Sequence, residues 1–175
     1  MAADRNEANI FIMSVLLIGL FIGMGINFWL GLNTFIYADT LFLIALLFGL
    51  LALGVHYLFF RHWKRYFAEI LAYSILGWGN ICLAILLSIN YFFHDAPVTS
   101  QYALPQPMAV AASQAGKSEV ELNSPELKQY PHMLIFSADE IEGTEMNGII
   151  VVRNAFYITA NGLLGYKILL QKQLK

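Results

Sequence analysis

Three runs of apolar residues, each long enough to cross a bilayer, occupy the first half of this chain, and one short basic cluster separates the second run from the third. A hydrocarbon core of roughly 30 Å needs about 20 predominantly apolar residues in helical form. A helix suits that medium because it satisfies its backbone polar groups within its own segment. The runs cover about residues 10–37, 41–60 and 67–93, and each predicts a transmembrane helix. The first is too long for a signal-peptide core and no clear A-x-A cleavage site follows it, so it reads as a retained span. Only 13% of the 175 residues are charged and 58% are hydrophobic. That is about half the charge of an ordinary soluble domain.

The basic cluster is Phe60–Tyr66, with Arg61, Lys64 and Arg65. Fixed positive charge between two spans resists translocation, which places this loop on the cytoplasmic side. The N-terminus is then cytoplasmic as well. The polar turn from Asn33 to Thr40, and everything after Phe93, fall outside. The region after Phe93 carries six basic and eight acidic residues, dispersed, so its charge does not oppose export. Rings gather at the span ends (Trp29 and Tyr37, Trp63 and Tyr66, Tyr91 and Phe92), where headgroups favour them. A retained first span without an Arg/Ser-rich transit segment favours a bacterial inner membrane over an organelle.

Residues 94–130 read as a Pro/Ala-rich linker. Pro97, Pro105, Pro107 and Pro125 block continuous helix, and the small residues from Ala109 to Gly116 bury little area. Ser118–Leu122 alternates like a short strand. From residue 131 to 175 the pattern turns β-like, with strands expected at His132–Ser137, Met146–Arg153 and Ala155–Ala160. Asn161-Gly162 is a hairpin signal, and Tyr166–Leu174 would be its return strand. A fourth span here would set Arg153 and Lys167 in hydrocarbon, at up to about 3 kcal/mol for each charge. The expected fold is a membrane α-helical region of three transmembrane helices over residues 1–93, followed by a small extracytoplasmic β-rich domain.

Within the spans, small and polar residues recur at helical spacing. Gly19, Gly23, Asn27 and Gly31 mark one face of the first, and Gly49 lies on a face of the second with Ala45, Ala52 and His56. Gly77 and Asn80 lie on the third with Glu69 and Tyr73. Small residues let helix backbones approach closely in lipid, so helix packing explains these stripes more economically than a conduction pathway does. Asn27 and Asn80 sit at similar depth and can bond across helices. His56 and Glu69 lie close to the basic loop on neighbouring helices, which makes an intramembrane polar pair geometrically possible. Pairing of Glu69 with Arg65 four residues earlier is the simpler account.

Catalytic patterns are missing from the sequence: it holds no HExxH, no GxSxG and no Walker-type phosphate loop. His94-Asp95 at the end of the third span gives two metal-ligand types without a third, and the acidic turn from Asp139 to Glu145 lacks the EF-hand spacing. The only cysteine, Cys82, excludes an internal disulfide, and the net charge of −2 gives no basis for nucleic-acid binding. Neither cofactor nor metal is expected. Even counted from Lys117, the exterior domain is under 60 residues, a size that buries too little surface to stand comfortably alone. The expectation is a non-catalytic membrane subunit or scaffold of a larger envelope complex for secretion, transport or energy transduction, bound to other membrane-protein subunits. The alternative is a homo-oligomeric channel or transporter with Asn27, His56, Glu69 and Asn80 along a shared pore. A membrane enzyme built on His94 and Asp95 ranks third.

Overall fold

The computed structural model describes residues 2–59, 67–111, 118–142, 145–146 and 149–175. They form two compact units. One holds residues 1–31 and 36–93, and the other holds Leu32–Phe35 with His94–Lys175.

In the first unit, three helices among the described residues are long and apolar enough to cross a membrane: Ile10–Leu32, Ala38–Leu58 and Ala68–Phe92. Their length and composition are those of membrane spans, and they match the three apolar runs to within a few residues. The third helix is the hub. Of its most apolar stretch 44% is buried, against 22% for the first helix and 6% for the second. Leu30, Leu83 and Leu87 form a small apolar core, with Leu41, Ile44 and Tyr91 packed on it. Both the first and third helices contain a π-helical stretch, Ile18–Gly23 and Tyr73–Gly79. Such wide turns are rare and concentrate where a helix makes a specialised contact.

The second unit is a twisted antiparallel sheet with a cap. Strand β5 (Ile149–Asn161) is central. It pairs on one side with β1 (Val98–Ala111) and on the other with β6 (Lys167–Leu174) and the short β4 (Glu145–Met146). A second, two-stranded sheet joins β2 (Ser118–Glu119) to β3 (Ile135–Phe136). The chain between the first and second helices also belongs here. Phe35 donates its N–H to the Lys167 carbonyl at 2.8 Å and Leu169 donates to the Asn33 carbonyl at 2.7 Å, so residues 33–35 extend the sheet beyond β6.

The described parts of the stretch expected to be a linker, residues 94–111 and 118–130, are structured, and most of the small-residue run from Ala109 to Gly116 lies outside the described residues. Residues 98–111 of it form β1, and Val120, Leu122 and Leu127 enter the main core with Met133, Phe136, Val152, Tyr157 and Leu174. The prolines did not prevent a strand because Pro105 and Pro107 fall in a register break between Ala103 and Met108 on an edge strand. A missing N–H is tolerated at such a site. The unit therefore starts near His94 rather than at residue 131, and it encloses a core of its own. The strand expected over His132–Ser137 is a 3-10 turn, Pro131–Leu134, followed by the two residues of β3. The two strands expected on either side of residue 154 are one strand, β5. The β5–β6 hairpin forms, but its tight point is Gly165, at φ 84°, with the Gly162 N–H bonded to the Tyr166 carbonyl at 3.0 Å. That conformation favours glycine over any L side chain.

Candidate functional site

The helical unit concentrates its polar and small residues at the contacts of the third helix. Gly19 faces Gly77 so closely that a Cβ on Gly19 would lie 2.4 Å from the Gly77 carbonyl oxygen. On the opposite neighbour, a Cβ on Gly49 would lie 2.7 Å from the Ile75 Cα, and one on Gly79 would lie 2.5 Å from the Ala45 carbonyl oxygen. Each contact is backbone against backbone, and no side-chain rotation relieves it. Gly23 packs less tightly on Asn80, and Gly31 packs on the end of the Leu41 side chain.

Asn27 and Asn80 meet across this interface. The Asn27 Nδ2 donates to the Asn80 carbonyl at 3.0 Å and to its Oδ1 at 3.2 Å. Asn80 in turn repairs its own helix. At the end of the π stretch its backbone N–H reaches the Gly77 carbonyl, and its Nδ2 donates to the Leu76 carbonyl at 2.8 Å. In hydrocarbon a carbonyl left without a donor is costly, so the side chain substitutes for the backbone donor. Interhelical bonds of this kind contribute about 0.6 kcal/mol on average and up to about 1.7. Asn27→Ala and Asn80→Ala should therefore each destabilise the bundle, and their effects should fall short of additive in a double-mutant cycle. Additive losses would remove the bond from the account.

Closer to the other end of the third helix, Trp78 Nε1 donates to the Tyr73 hydroxyl at 2.7 Å, and the His56 ring stands edge-on to Tyr73 with centroids 5.2 Å apart. Tyr73 and Ser74 are buried. His56 is thus set against Tyr73, while Glu69 is exposed in the first turn after the basic loop. Arg61, Lys64 and Arg65 lie outside the described residues. The sequence stripes held Gly77 and Asn80 but missed Gly79 and Ser74, which face the second helix, and Trp78, which bonds to Tyr73 on its own helix.

In the β unit the polar groups gather around a recess of about 410 Å3 beside β6. Lys172 crosses it, with its ammonium over the Phe136 ring at 5.0 Å, 3.7 Å from Glu140 Oε2 and hydrogen-bonded to the Ile135 carbonyl. Glu140 closes a capping box on Ser137, accepting from its N–H at 2.8 Å and its hydroxyl at 3.0 Å. The Tyr157 hydroxyl donates to the Met133 carbonyl at 3.0 Å, and burial pushes its pKa well above the usual range, helped by Tyr102 and Glu140.

His132 borders the same recess. Its Nε2 is buried and makes no hydrogen bond among the described residues. Burial lowers the imidazole pKa, the hydrogen bond to the Leu32 backbone opposes that shift, and the Lys172 charge adds to it. The unfolded chain therefore holds the proton more tightly. The contribution of His132 to stability is fully present above the ordinary histidine pKa of about 6.5 and is lost as pH falls through the lowered folded value. Protection from hydrogen exchange at β3 and β6, taken relative to the intrinsic rate at each pH, should fall between about pH 7 and pH 5, and His132→Asn should flatten that dependence. An identical profile in the variant would assign the acid sensitivity to other groups.

The His94 ring is exposed, with Nδ1 2.7 Å from the Asp95 backbone oxygen. Among the described residues no three His, Cys, Asp or Glu side chains converge where a metal ion would be held. No family model matches this chain, and neither a curated protein nor a solved structure matches it.

Proposed function

We propose that this protein is a non-catalytic integral membrane subunit, with three spans as its anchor and the β unit as its docking module on the extracytoplasmic side of a bacterial inner membrane. The observation that carries this reading is the edge of β1. This strand of 14 residues ends the sheet and no other described strand covers its outer side. A long edge without charge is a template for pairing with another chain, and natural monomers blunt such edges. The membrane bundle adds support. Its polar side chains Asn27 and Asn80 are engaged with each other, and Phe42, Leu43, Leu47 and Leu51 of the second helix are turned outward, available to lipid or to a neighbouring helix.

The contacts of residues 32–35 support this topology. They belong to the β unit, which fits an arrangement with the turn after the first span and the region after the third on one side of the membrane and the basic loop on the other. The channel reading draws less support, because Asn27 and Asn80 serve a helix contact.

The test is the native mass of the full chain released in mild detergent, compared with a Thr99→Lys, Gln101→Lys variant. Both positions are exposed on β1. The wild-type complex should exceed the 19.7 kDa of one chain in a fixed ratio of components, and the charged edge should lower that mass. A wild-type chain that runs alone would contradict the proposal.

A further inference from the structure

We infer that the occupant of the β1 edge is β1 of a second copy of this chain, paired antiparallel about a two-fold axis at Gln101. The inference rests on the subunit reading and names one partner for the same edge. Four observations carry it. First, the two sides of the sheet differ. Beyond β6 lie residues 33–35 and the Ile141 bridge to Leu174, whereas no strand among the described residues lies beyond β1. Second, the chain carries no charged residue from Ala96 to Gly116, so nothing repels an identical strand. Like charges directly opposite would destabilise such a pair.

Third, the ladder with β5 runs unbroken from Val98 to Ala103 before the register break, and with Leu104, the last residue before Pro105, the regular stretch is Val98–Leu104. Its midpoint is Gln101. Fourth, an antiparallel self-pairing about that midpoint is chemically matched. Val98 falls opposite Leu104, Thr99 opposite Ala103, Ser100 opposite Tyr102, and Gln101 opposite itself. Side chains alternate along a strand, so Val98, Ser100, Tyr102 and Leu104 share a face. Tyr102 and Leu104 pack on the core, and the pairing therefore joins the two core faces on one side of a continuous sheet. Val98, 62% exposed in the single chain, would gain an apolar neighbour. The paired stretch is short, but two copies anchored in one membrane meet at a high effective concentration.

Disulfide trapping in native membranes tests the register. In a Cys82→Ser background, Gln101→Cys places one thiol from each copy directly across the two-fold, at a Cα separation that a disulfide spans. It should oxidise to a dimer about tenfold faster than Leu163→Cys, an exposed control on the β5–β6 loop. Thr99→Cys and Ala103→Cys should each cross-link poorly alone but join each other when coexpressed. A Gln101→Cys rate equal to that of Leu163→Cys overturns the self-pairing. If the native mass then contains other chains in fixed ratio, the subunit reading stands without it. If the chain runs alone, both fall.

Discussion

Gly79→Ala should destabilise the helical bundle by about 1–3 kcal/mol, the usual cost of forcing extra volume into a packed contact, and Gly79→Leu by more. The added Cβ would meet the Ala45 carbonyl oxygen at 2.5 Å, well inside van der Waals contact. Relief requires the second and third helices to separate, since the obstructing atom is backbone. Gly19→Ala should act alike on the other interface, where the Gly77 carbonyl stands at 2.4 Å. Gly25 and Gly54 have open space around their would-be Cβ atoms, so Gly25→Ala and Gly54→Ala should leave stability unchanged or slightly raised. Unfolding in mixed micelles, followed by tryptophan fluorescence, ranks the four. Equal stability in all four would mean that the glycine contacts do not hold the helices together.

Leu122→Ala should cost about 2–5 kcal/mol, the range for truncating a fully buried leucine. Leu122 is completely buried among Val120, Met133 and Phe136 in the main core of the β unit. Its neighbour Glu121 is exposed, and Glu121→Ala should stay within about 0.5 kcal/mol. Hydrogen exchange at β5 in the full chain reads the difference. The comparison is sharp because residues 94–130 have the composition of a linker, and in a linker neither substitution would be felt.

That segment also shows where sequence reasoning ran out. The spans were legible because membrane helices announce themselves by length and composition, and Gly19, Gly23, Asn27, Gly77 and Asn80 by their regular recurrence. Gly79 lies off that stripe. The third helix packs on two neighbours, and a search for one face per helix finds only one of them. The π stretches are set by tertiary contact and leave no periodic trace. In the β unit, Leu127 is an isolated apolar position with no period to read, and Leu122 closes an alternating stretch too short to outweigh the linker composition around it. Strand β5 read as two strands because its inward parity slips: Val152 faces the core, then Ala155 and Tyr157 do. The slip has a visible cause, since the N–H groups of Arg153 and Asn154 both bond to the Lys175 carbonyl, at 2.9 and 2.8 Å. One residue of partner against two of strand is a bulge. The recess around Lys172, Glu140 and His132 joins residues distant in sequence, and no motif links them.

The account depends on the β unit and the basic loop lying on opposite sides of one membrane, because only then can three spans present a docking module to exterior partners. Thiol labelling measures this directly. In a Cys82→Ser background, His62→Cys places a thiol in the basic loop and Leu163→Cys places one on the β5–β6 loop. With a membrane-impermeant maleimide, Leu163→Cys should react in intact spheroplasts and His62→Cys only after the membrane is opened. Reaction of both thiols from the same side would contradict the account.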